Sequence, residues 1–241
     1  MKNYVLQSDG RIRAIRSFEL SDGQIISEGD MGGRIDGQNN LHQNSPCWVF
    51  PDGEVTENAS VSGNALIYSG TISGNAKVYG HAVITDSVIN ENARVSGLET
   101  EVNESRITGN AHVANCRIID STISDSARIN GSPGLSSGGD KLECLISRST
   151  VSGNAAVSGT PSIMEGSLLH DRANVSGCCY VENSVIECDG RVSGCARIIN
   201  STVGCTGIVY GDKEIENREI YDAGEVTNCP ETAANSSNCC A

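Results

Sequence analysis

The chain has 241 residues, a net charge of −13, abundant Gly and only 4% aromatic residues. It lacks the large side chains that fill a conventional globular core, and suits a narrow core of stacked Val, Ile and Ala. The acidic balance, with no basic stripe visible along the chain, argues against nucleic acid and against anionic lipid as partners.

Residues 1–46 read as a small N-terminal β cap. The opening MKNYVLQSDGRIR has no continuous apolar stretch of the kind a signal peptide needs. IRAIRSFEL (12–20) alternates like a strand, GDMGGRIDG (29–37) reads as a turn, and CWVF (47–50), with the single Trp, seals the first coil. No apolar run is long enough to span a bilayer, so the expected location is the cytoplasm. Ten of the eleven cysteines lie at or after Cys116. In a reducing compartment they read as mostly free, small, buried residues.

From residue 47 to 210 the chain repeats. Words such as VSGNALI and VSGNAAV recur, and the aliphatics Ile72, Ile89, Ile107, Ile123, Val151, Leu169, Ile186 and Val203 are spaced 17, 18, 16, 28, 18, 17 and 17 apart. Counting back 17 from Ile72 reaches Val55. Within a period the anchors step by 6, 6 and 5, as in Ile72, Val78, Ile84 and Ile89. That rhythm does not follow 3.6 residues. It predicts an all-β, single-stranded triangular solenoid of about nine coils, with three short strands and three tight corners per coil. Two residues before each aliphatic only a small side chain fits. Ala59, Ala65, Ala76, Ala82, Ala93, Ala111 and Ala127 fill that place in six-residue words. Ser87, Ser105, Ser121, Ser149, Ser184 and Ser201 fill it in five-residue words. Asn and Gly before the Ala tolerate the left-handed backbone of a tight corner.

The segment NGSPGLSSGGDKLE (130–143) explains the interval of 28 as an inserted loop. Residues 211–226 read as a C-terminal cap, either a last irregular coil or a short helix. Residues 227–241 have the composition of a disordered tail.

These words resemble the hexapeptide repeats of left-handed β-helix proteins. The run GDMGGRIDGQNNL to CWVF, leading into NASVSGNALI, is similar to the YdcK-type group, acyltransferase-like proteins of enterobacteria and their phages. The likeness covers residues 30 to 210. It implies a left-handed coil, a homotrimer and, in the catalytic members, a His acting as general base on an acyl-CoA such as acetyl-CoA.

A base of that kind must come from four histidines. His170 in LLHDRANV is flanked by Asp171 and Arg172, although alternation along a strand would turn Asp171 away. His112 should point outward from a flat side, His81 holds an Asn position at a corner, and His42 lies in the cap. The solvated-surface reading stands beside the catalytic one for each. Cys178 and Cys195, like Cys188 and Cys205, are 17 apart and should stack on adjacent coils. Parallel stacking disfavours a disulfide, and no CxxC spacing supports zinc. Small residues at corners are the simpler account, and no metal site is expected. The loop offers Ser136, Ser137, Gly138, Gly139 and Lys141 as candidate ligand contacts on a rigid scaffold. The expectation is a rigid trimeric module that binds a small molecule, nucleotide-like in one version, or a partner at grooves between subunits. An acyl-CoA-dependent transferase and a phage structural component are the alternatives.

Overall fold

The computed structural model describes residues 2–132, 134–135 and 141–222. The chain divides into two compact units, Met1–Ala114 and Asn115–Ala241. No helix occurs among the described residues, and both units are built from short parallel strands stacked about every 17 residues.

In the first unit, Tyr4–Leu6 pairs antiparallel with Arg11–Ala14, which pairs antiparallel with Met31–Ile35. Met31–Ile35 then runs parallel to Trp48–Val55 and hands the chain to the solenoid. The glycines of this segment suggested a turn. They serve close packing in a strand instead. A Cβ on Gly33 would stand 2.2 Å from the Gly53 carbonyl oxygen, and one on Gly32 would stand 2.5 Å from the Ile12 side chain. Trp48 is buried at the first coil, with the Phe18 ring edge-on at 5.7 Å.

Each coil has three sides. In the first unit the first two sides are carried by Trp48–Val55, Leu66–Ile72, Val83–Thr85 with Ser87–Ile89, and Glu101–Asn103 with Arg106–Ile107. The third side is Ser60–Val61, Lys77–Val78, Arg94–Ser96 and His112–Ala114. In the second unit the first side runs from Cys116–Ile119 to Glu214–Glu216, and the second from Thr122–Ile123 to Glu219–Ile220. Its third side runs from Arg128–Gly131 to Ile208–Val209. The two units together hold about ten turns, one more than the spacing suggested, because residues 214–220 complete a regular last coil. Every inward aliphatic of the repeat, from Val55 to Ile220, is buried.

The corners explain the choice of Ala or Ser. In six-residue words the Ala amide donates to the carbonyl three residues back, as Ala76 does to Ser73 at 3.3 Å and Ala59 to Thr56 at 3.1 Å. The turn satisfies itself and needs no side chain. In five-residue words it does not. There the buried Ser hydroxyl donates to the carbonyl two residues back and accepts the amide of the Ser one coil on. Ser184 gives 2.6 Å to Glu182 O and takes the Ser201 amide at 3.0 Å. Ser87 to Ser105 and Ser121 to Ser149 repeat the relay at 3.0 and 3.1 Å.

The left-handed residue at these corners is not the Asn. It is the residue before it: Gly74 at φ 67°, Gly153 at 65°, and in their place Glu57, Glu91, Asp125 and Asp171 at 54 to 58°. The acids offset the steric cost of about 1–2 kcal/mol by receiving a backbone amide from the next coil. Glu57 accepts from Gly74 at 2.6 Å and Asp125 from Gly153 at 2.9 Å. The Asn residues beside them stack in a side-chain ladder, Asn58 to Asn75 to Asn92 to Asn110, at 3.3, 3.1 and 3.2 Å.

Coil length varies most at the corner between the third and first sides; at the corner between the first and second sides the step from Ile163 to Leu169 is also one residue longer than that from Ile146 to Val151. In the first unit Gly97–Thr100 adds a residue there and leaves Leu98 73% exposed. In the second unit the insertion leaves the same corner and carries a hairpin, Gly134–Leu135 antiparallel to Lys141–Leu142.

Candidate functional site

Two places in the described residues gather polar side chains. The first lies in the first unit, where the cap loop meets the third side. Asn40 is buried and donates to the carbonyls of Glu57 and Ala59 at 3.0 and 2.8 Å, while its Oδ1 accepts the Gly37 amide at 2.7 Å. Leu41 bridges to Val61, and the Tyr4 hydroxyl donates to the Leu41 carbonyl at 2.6 Å. Asn3 donates to the Ser45 carbonyl at 2.9 Å and is itself held by Arg16. The loop is therefore fixed before any ligand arrives. With Ser60, Val61 and Ser62 it forms an open cleft of about 340 Å³ lined also by Gln38, Asn39, His42, Gln43 and Asn44. That volume falls at the small end of ligand pockets, about 300–1,000 Å³.

Within the cleft the Gln43 Oε1 atom is buried without a hydrogen-bond partner among the described residues. A buried polar atom left unpaired costs about 1–3 kcal/mol; being buried, it meets a ligand donor only when the Gln43 side chain turns into the cleft. His42 Nδ1 meets the Ser45 hydroxyl at 2.9 Å, and Ser45 Oγ lies 3.4 Å from the Cys47 thiol. Burial pushes the Cys47 thiol up from its ordinary 9.0, so it is not a ready nucleophile. His42 has no carboxylate orienting it among the described residues.

The second place is a corner of the second unit. His170 and Asp171 follow the strand Leu168–Leu169, and the left-handed turn at Asp171, φ 57°, breaks the alternation that would have separated them. His170 Nδ1 meets Asp171 Oδ2 at 2.9 Å, and Nε2 meets Glu187 Oε2, one coil on, at 3.3 Å. Both ring nitrogens thus face carboxylates. Such an imidazole is held in orientation, and a substrate must displace Glu187 to use Nε2 as a base. Arg172 pairs with Asp189 at 2.5 Å beside it.

The other candidates lie apart. His81 Nε2 meets the Asn64 amide nitrogen at 2.8 Å at a corner of the first unit. His112 is half-buried on the third side. Ser136, Ser137, Gly138 and Gly139 lie outside the described residues, and Lys141 is placed only as part of the hairpin. The tail from residue 227 also lies outside them. Cys47, Cys116, Cys144, Cys179, Cys188 and Cys205 are unoxidised thiols, whereas Cys178 is disulfide-bonded. Cys116 stacks on Cys144, and its thiol is raised by burial and then by that neighbour. Among the described residues no group of three or more His, Cys, Asp or Glu could hold a metal ion.

Reading the residues alone missed the cleft. His42 was visible as a cap residue, but Gln43, Ser60 and Ser62 carry no motif. They meet only because Leu41 bridges to Val61. No protein-family model matches the chain, and no curated protein matches it. The fold and these sites define it as a β-solenoid protein.

Proposed function

We propose that the chain is a rigid binding module that holds a small molecule in the cleft between the cap loop and the third side of its first unit. The observation that carries this reading is the cleft itself: a loop locked by buried Asn40 and Asn3 around the unpaired Gln43 Oε1. The resemblance to the YdcK-type group of hexapeptide-repeat proteins supports a homotrimeric, cytoplasmic module, encoded by a phage or its host. Ligands then lie near subunit grooves. A structural component of a phage particle is the version of this reading with no small ligand.

A second reading, an acyl-CoA-dependent acyltransferase, draws on the His170 corner, where Asp171 and Glu187 hold both imidazole nitrogens. Native mass spectrometry of the full chain, with and without acetyl-CoA, separates the two. A trimer carrying a co-purified small ligand, lost in Gln43→Leu, supports the module. A trimer that binds acetyl-CoA and loses turnover in His170→Ala, with His112→Ala and His81→Ala unaffected, supports the transferase. An empty monomer unchanged by acetyl-CoA overturns both.

A further inference from the structure

Register reveals what the linear sequence hides. Lys77 pairs with Arg94, and Arg94 with His112, on the third side of the first unit. Lys77 and Arg94 are exposed and have no ion-pair partner among the described residues. Neighbouring strands lie about 4.8 Å apart, so two cations stand side by side on a chain whose net charge is −13. Like charges directly opposite on a sheet destabilise it. The second unit follows the opposite rule at this spacing. Arg148 faces Glu165, Arg172 faces Asp189 and Arg197 faces Glu214, each one coil on. Like charges also stack at Asp86 and Glu104, but Lys77 and Arg94 are a cationic case on an acidic chain, and a local rule broken with no compensating contact is where a functional or strained site is expected.

The neighbouring column on the same face is Ser62, Tyr79, Ser96 and Ala114. Tyr79 is 39% exposed and sits two residues from Lys77, on the same side of the strand. One coil back, Ser60 and Ser62 form the wall of the cleft. The cations therefore begin one strand away from it.

We propose that Lys77 and Arg94 bind a small anion carrying two or more phosphoryl groups. Point-charge Lys and forked Arg are the side chains that recognise phosphoryl oxygens. The pair spans only one strand spacing, which suits linked phosphates and not two separate ligands. A long polyanion is disfavoured by the chain's overall negative charge. The Tyr79 ring flanks the site and offers an aromatic face to the organic part of a phosphate ester. The proposal rests on the binding-module reading but not on the cleft ligand, which is tested separately.

The experiment is isothermal titration of the full chain with inorganic tripolyphosphate at fixed ionic strength. Wild type is compared with Lys77→Gln, Arg94→Gln, the double variant, and Arg197→Gln as an ion-paired control on another side. The expected result is one site per chain, weakened on the order of tenfold by each single change, as loss of a charge-assisted contact implies. The double variant should lose binding and the control keep it. Wild-type heats equal to those of sodium chloride at the same ionic strength would overturn the proposal, as would a double variant binding within about twofold of wild type. Gln43→Leu should leave tripolyphosphate binding intact, so the cleft and the cation pair can fail independently. A readout without ligand adds to this. In low salt Lys77→Gln should raise the melting temperature by removing the like-charge contact. The rise should vanish near 1 M salt, where the Debye length is about 3 Å. A melting temperature unchanged or lowered in low salt would contradict the repulsion on which the site is argued.

Discussion

Ser184→Ala is the sharpest test of how the five-residue corner works. Its hydroxyl donates to the Glu182 carbonyl at 2.6 Å and accepts the buried Ser201 amide at 3.0 Å. The residue is 2% exposed, so water cannot replace either contact. Sterically the change is mild, because Ala fills the matching place at the other corners. The loss is therefore polar. One net hydrogen bond is worth about 0.5–1.5 kcal/mol, and a stranded buried amide costs about 1–3 kcal/mol. Since the two overlap, the expected destabilisation is about 2–3 kcal/mol. Urea unfolding, read as a midpoint shift at constant slope, measures it. Ala76→Ser is the counterpart. There the Ala76 amide is already bonded to Ser73 at 3.3 Å, so the added hydroxyl should stabilise nothing. A loss below about 0.5 kcal/mol in Ser184→Ala, or a gain in Ala76→Ser, would refute the account of why Ser and Ala divide the corners.

Three further outcomes are expected. Gly33→Ala should destabilise the cap by more than about 2 kcal/mol, because its Cβ would meet the Gly53 carbonyl oxygen at 2.2 Å; thermal melting checks it, and an unchanged midpoint would contradict the packing. Burial pushes the Cys179 thiol from 9.0 to about 12. Its folded pKa is raised, so its contribution is fully present below the unfolded value and is lost as pH rises from about 9 toward 12. Stability measured across that window should fall, and Cys179→Ala should flatten part of the fall. Asn75→Ala breaks two rungs of an exposed ladder and should cost about 0.5–1 kcal/mol by urea unfolding, with Asn75→Gln failing to restore it.

The solenoid was legible because its cause is periodic. An aliphatic every five or six residues must be buried, and only stacked coils bury all of them. The small residues before Val and Ile were legible for the same steric reason. What the Ser hydroxyls do was not, since a hydroxyl relay appears only when coils are placed in register. The Met31–Ile35 strand was misread as a turn because its glycines answer to Gly53 and Ile12, distant in sequence. The pairing of His170 with Asp171 was hidden by the assumption of a straight strand. The left-handed Asp171 bends the two together. Gln43, Ser60 and Ser62, and likewise Lys77 and Arg94, are unremarkable as a string and become neighbours through pairing alone.

The corner between the third and first sides absorbs one extra residue at Gly97–Thr100 and a whole hairpin after Gly131. The relays and ladders run along the other two corners, where Ser201 depends on Ser184 and Asn75 on Asn92. Mutational tolerance is thus unevenly distributed around the coil. Peptides grafted at this third corner would leave every hydroxyl relay in register, whereas at the Ser corner the one extra residue before Ser167 already stretches the relay, its hydroxyl oxygen standing 3.4 Å from the Ser184 amide. The permissive corner is where a protein engineer would insert an epitope, and where lineages of this repeat can diversify without rebuilding their frame.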